Sequence, residues 1–274
     1  RAGGRRSQVN LSFLMTEQSI DELFDATLRG DPYDDNAWVA VGKLREIATR
    51  EIFDRALAWA ISEEPKKRQR SMDIISQFAV KPASQHPYLR EACDAAVAVA
   101  ATESDQFALA ATIFALGHLG DARGLPLIIR HTYHTDCEVR YAVAFALGNF
   151  ANDEQAIEHL MVLMADVDED VRDWATFAVG TQSDVDTPEI RAALNERLND
   201  PFWDAKLEGI MGLAKRRDMR ALPHIIEALK NGQWVYGITE SAYLMLGLDR
   251  EPAEWKSGDD CLAALQKAYP SSSF

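Results

Sequence analysis

The 274-residue chain is short of basic residues: 29 Lys and Arg stand against 43 Asp and Glu, a formal charge of −14. Three of those basic residues, Arg1, Arg5 and Arg6, sit in residues 1–14, which carry no acid; without them the balance is 26 against 43, or −17. Such a body repels the phosphate backbone, whose neutralisation by Lys and Arg supplies most nucleic-acid affinity, so nucleic acid is not an expected partner. Cysteine is scarce as well. Cys93, Cys137 and Cys261 are an odd number at wide separations, which argues against a disulfide framework and suits a reducing, cytoplasmic setting. No apolar run reaches the ~18–20 residues that a membrane helix needs. Residues 11–15 are too short for the apolar core of a signal peptide, and acids follow at Glu17, Asp21 and Glu22. Met15-Thr16-Glu17 reads like a natural beginning, so residues 1–14 are expected to be a disordered or added head and residues 15–274 a single domain. Alternating strand patterns are missing. So are a Gly-rich phosphate loop, a Gly-x-Ser-x-Gly elbow and any motif-supported Ser/His/Asp or Cys/His set.

What the sequence does contain is a repeat. Residues 139–148, 171–180 and 203–212 align without a gap, each closing on a glycine: Gly148, Gly180 and Gly212. Residues 108–117 fit one unit earlier, 238–247 one unit later, and weaker frames lie at 69–78 and 33–42, giving about seven units. Within a unit, Val139, Ala142, Val143, Ala146 and Leu147 have the i, i+3, i+4, i+7, i+8 spacing of one helix face. A polar link and a second helix follow, often with proline in its first turn (Pro87, Pro126, Pro188, Pro223), where the missing N–H costs nothing. One such helix pair cannot bury its apolar faces alone, whereas a stack of them forms a continuous core.

The run Asp-x-Asp/Glu-x-Val-Arg followed by Ala-Leu-Gly-type closures, as in residues 136–148 and 168–180, resembles the HEAT repeat, in particular the short PBS-lyase HEAT-like variety. The resemblance is specific over residues 103–230 and loose at both ends, and residues 203–212 carry Asp204 where the family usually has Arg. It implies an all-α fold: a right-handed α-solenoid, or superhelix, of about seven HEAT-like helix pairs. It further implies that Asp136 pairs with Arg140 and Asp168 with Arg172 within each repeat, and that the Val-Arg helix lines the concave side.

On that helix the third and seventh frame positions lie four apart and share an outward face. They hold Ala110 and Phe114, Tyr141 and Phe145, Asp173 and Phe177, then Ala205 and Gly209. Phe114, Tyr141, Phe145 and Phe177 thus form a ladder that is either wedged into the core or displayed as an interface anchor. The carboxylates Asp173, Asp204 and Glu208 would rim it, within a wider acidic ridge of Asp166, Asp168, Glu169, Asp170, Asp184, Asp186 and Asp200. His131, His134 and Cys137 have ligand-like spacing, but Asp136 is needed as a helix cap there and no second ligand cluster accompanies them, so no metal and no cofactor are expected. The basic run 66–70 reads as the solvated start of a helix with Pro65 in its first turn, and Trp234, Tyr236, Tyr243 and Trp255 as an aromatic cap on the last unit.

The function expected is therefore non-catalytic. A monomeric scaffold binds a basic protein through an acidic and aromatic concave surface, as an adaptor or as an inhibitor or immunity-type partner. The rival implied by the resemblance is a bilin (phycobiliprotein) lyase-like subunit. Iron-dependent hydroxylases of this fold need His-Glu dipeptides, and none occurs here; only the reversed Glu158-His159 does.

Overall fold

The computed structural model describes residues 18–80 and 83–270, so the head assigned to residues 1–14 lies outside the described residues. Among them are fifteen α-helices and no strand. In chain order these are α1 (Ile20–Thr27), α2 (Asp35–Ile47), α3 (Arg50–Trp59), α4 (Pro65–Ser76), α5 (Leu89–Thr102), α6 (Gln106–Leu119), α7 (Leu125–Ile129) and α8 (Cys137–Gly148). The second half holds α9 (Glu154–Leu163), α10 (Glu169–Phe177), α11 (Pro188–Arg197), α12 (Trp203–Lys215), α13 (Ala221–Lys230), α14 (Tyr236–Met245) and α15 (Gly258–Ala268). The seven even-numbered helices lie side by side in order, and the odd-numbered helices pack behind them. One apolar core runs between the layers from Leu23 to Leu265. This is an α-solenoid.

Four of the seven even helices start on an aspartate cap. In α8 the Asp136 carboxylate accepts from the Glu138 and Val139 amides at 3.0 and 3.3 Å, and Asp34, Asp105 and Asp168 cap α2, α6 and α10 in the same way. The i, i+3, i+4 residues Val139, Ala142, Val143, Ala146 and Leu147 are then all fully buried. Close approach fixes how one even helix lies on the next. A Cβ on Gly117 would stand 2.7 Å from the Ala146 Cα, and one on Gly180 would stand 3.2 Å from the Gly212 Cα. The closing glycine of one helix therefore meets a small residue two positions before the close of its neighbour.

That contact corrects the frame. Gly212 occupies the place of Ala146, so the unit runs over 205–214, two residues later than its glycine suggests. The weak frames move as well, to 67–76 and 37–46, with Arg70, Ser71, Met72, Ile74, Ile75 and Ser76 buried as the shifted pattern requires. The basic run is not merely solvated: Pro65 does open α4, but Arg70 is completely buried. Its Nε donates to Thr27 O, its Nη1 to Asp73 Oδ2 and its Nη2 to Pro32 O, each at 2.9 Å.

The expected pairing of Asp136 with Arg140 and of Asp168 with Arg172 is also overturned, because both aspartates are occupied as caps. Arg140 reaches forward to Asp166 in the next link, at 2.7 and 2.8 Å, and Arg172 reaches Asp200 at 2.9 Å through both nitrogens. Arg68 does the same with Glu103 at 2.6 and 2.9 Å. In all three, Nη1 also holds two carbonyls of its own link: Ser62 and Glu63, His134 and Thr135, Asp166 and Val167. Each arginine is thus a staple between consecutive units rather than a brace within one.

The two best-defined staples differ in one respect that makes them separable. Asp200 also accepts from Arg197 at 2.8 Å, whereas Asp166 pairs with Arg140 alone among the described residues. Arg140→Ala strands a carboxylate that is 9% exposed and should cost about 3 kcal/mol in urea unfolding. Arg172→Ala should cost roughly half of that, because Asp200 keeps a cation. Equal losses, or a larger loss for Arg172→Ala, would contradict the staple.

Candidate protein-interaction surface

The fifth and ninth residues of each even helix point away from the odd layer. In α6 they are Ala110 and Phe114, in α8 Tyr141 and Phe145, and in α10 Asp173 and Phe177. After the frame correction, α12 presents Leu207 and Met211 there instead of Ala205 and Gly209, both of which are buried. Phe114, Tyr141, Phe145 and Phe177 are each half-buried, so the rings are wall and surface at once. Phe114 lies 5.9 Å from Tyr141 and 5.1 Å from Phe145, centroid to centroid, in edge-on or tilted geometry.

Trp174 completes this strip, and the sequence frame had placed it in the core. Its ring is 5.9 Å from Tyr141, 5.3 Å from Phe145 and 5.8 Å from Phe177. The equivalent positions hold Ala111 and Ala142, and an indole does not fit where a methyl packs, so it spills onto the open face. That size mismatch was the available signal.

The acidic ridge divides in two. Asp166, Asp184, Asp186 and Asp200 are ion-paired with arginine or lysine, and Asp168 caps α10. Asp170, Asp173, Asp204, Glu208 and Glu240 have no basic partner within ion-pair distance among the described residues. Glu138, Asp170 and Asp204 are the second residues of α8, α10 and α12 and form a column beside the rings, each favoured by its helix N-terminus. Burial, then Asp204 and Asp170, push the Asp173 carboxyl up to about 6. Burial, then Asp173, raise Glu208 to about 7 although Thr181 Oγ1 donates to it at 3.3 Å; Asp204 and Glu240 add to the rise. These carboxyls are held partly protonated near neutrality, so an incoming cation would find charge it can draw out.

Other singled-out residues have local roles. His134 Nδ1 accepts from the Asp136 amide at 3.1 Å, and the His131 and His134 rings are 6.0 Å apart. At the last unit Tyr243 and Trp255 are buried, whereas Trp234 and Tyr236 are exposed.

The two raised carboxyls bind protons more tightly folded than unfolded, so ionising them removes stability as pH climbs through 6 and 7. Glu208→Gln should therefore raise Tm over wild type by about 2 °C at pH 8 and leave it unchanged at about pH 4, below the ordinary glutamate range. A difference that does not depend on pH would show that Glu208 titrates normally.

Comparison with known proteins agrees with this architecture. The family model for HEAT repeats matches residues 93–180. Protein YibA of Escherichia coli strain K12, and equally of strain O157:H7, is 36% identical over 104 residues, which is 38% of this chain and 36% of YibA. The matched segment thus spans about a third of the length of these curated relatives. The crystal structure of E. coli YibA superposes with a TM-score of 0.68 at 20% identity, covering 93% of each chain. Residues 93–180 are HEAT repeats, and the fold built around them is a HEAT-type α-solenoid.

Proposed function

We propose that the protein is a non-catalytic interaction scaffold whose even-helix face captures a basic segment of another protein. One observation carries the reading: five carboxylates without a basic partner lie on the face that carries the strip of half-buried rings, while Asp166, Asp184, Asp186 and Asp200 in the adjacent links are neutralised internally. Lysine or arginine heads would draw the protons from Glu208 and Asp173, and their aliphatic stems would lie along Trp174, Phe145 and Phe177. Affinity for such a segment rises with pH through 6–7, with protons released on binding. An inhibitor or immunity-type role uses the same chemistry, with a cationic toxin or nuclease as the segment's source.

A synthetic Lys/Arg-rich peptide with interspersed leucines tests this by calorimetry. Binding should weaken at least tenfold between about 50 and 500 mM salt, because Asp170 and Asp204 are exposed and their attraction for the peptide is screened. Phe145→Ala combined with Phe177→Ala should weaken it about tenfold more, the loss of two anchors. Salt-independent binding would remove the carboxylates from the account, and unchanged affinity in the double variant would make the rings mere core.

A further inference from the structure

Beyond Phe114, the same face opens between α2, α4 and α6 into a cavity of about 270 Å³, with Trp38, Phe107 and Phe114 in its walls. A second cavity of about 390 Å³ adjoins it, and Arg45, Ser76, Gln77 and His118 line both. Tyr33 sets its ring edge-on to Phe107 at 6.3 Å. Apolar walls with a few converging polar groups are the usual make-up of a small-ligand site.

Arg45 stands where the two cavities meet. Its Nε donates to the Asp73 carbonyl at 2.8 Å, its Nη2 donates to that same oxygen, and its guanidinium carbon is 5.8 Å from the Trp38 ring centroid. Among the described residues nothing accepts from its Nη1. The neighbouring Asp73 carboxylate is shared, because its Oδ2 accepts from the buried Arg70 while its charge also acts on Arg45. Two guanidiniums thus face one carboxylate, a local positive excess in a chain of charge −14. His118 adds no charge: burial, with Arg45 nearby, holds it down to about 4, and the Gln77 amide sits 3.0 Å from its Nε2. Glu46 and Glu138 lie at the mouths and are exposed, so water screens them.

We infer that this cavity binds a monocarboxylate with an apolar, preferably aromatic, body. The carboxylate accepts from Nη1 of Arg45, whose planar fork suits it; the body lies against Trp38, Phe107 and Phe114. The single uncommitted nitrogen, Nη1, with the Asp73 carboxylate nearby, selects one negative charge over the two of a phosphate. The carboxylate has two possible sources, a free organic acid or the C-terminus of a partner ending in a bulky apolar residue. The site needs no basic segment, so its failure and that of the scaffold reading are separable.

The test is calorimetry with phenylacetate, 2-phenylethanol, and a short peptide ending in Phe as the free acid or the amide. Phenylacetate should bind saturably and at least tenfold tighter than the alcohol. Arg45→Gln should abolish that preference. Because Arg45 also holds the α4 backbone, Ala110→Phe serves as a second variant: it fills the cavity, leaves Arg45 in place and should weaken phenylacetate at least tenfold. A free-acid peptide that binds while its amide does not identifies a protein terminus as the source; phenylacetate binding with neither peptide identifies a free acid. No saturable phenylacetate binding, equal binding of the alcohol, or unchanged binding in both variants would overturn the inference.

Discussion

Gly117 lies against Ala146 and Gly180 against Gly212, and at these crossings two helix backbones come so near that a larger side chain would push them apart. This spacing sets the distance over which Arg140 and Arg172 can reach the next link, and it brings the fifth and ninth residues of successive helices into columns. Rings 5–6 Å apart from one helix to the next are the consequence on the open face. The staples then hold the columns in register, since each arginine ties its own link and the following one to a single guanidinium.

Much of this was legible in the sequence, and the failures have physical causes. The helical spacing around Val139 and Val171 and the aspartate caps gave the all-α repeat and its seven units. Glycine was a misleading marker in α12, because Gly212 serves close approach two residues earlier in the helix than Gly148 and Gly180 do. In α4 the better marker was Arg68, which stands at the staple position while the closing residue is Ser76. The partners of Arg140 and Arg172 could not be read locally, since the nearer aspartates are equally well placed by number and are spent on amides. Nor could the burial of Arg70, whose acceptors Thr27 and Pro32 lie about forty residues away in sequence.

The distribution of charge divides the acids into two sets. Asp166, Asp186, Asp200 and Asp218 in the links are matched by arginines, which tie the stack together. On the open face, burial and the neighbouring carboxylates raise Asp173 and Glu208, an arrangement that lowers stability once both are ionised. Toward the N-terminal helices the face changes sign at Arg45. The even-helix face thus carries carboxylates at one end, rings in the middle and a guanidinium at the other.

The central claim is that the unpaired carboxylates, rather than the acidic surface at large, receive the partner's cations. Zero-length carbodiimide coupling of a lysine-rich peptide, followed by mass spectrometry, tests it most directly. The account predicts amide links at Asp170, Asp173, Asp204, Glu208 and Glu240, lost in high salt. Links concentrated instead at Asp31, Asp34 and Asp35, or spread evenly over the exposed acids, would contradict it.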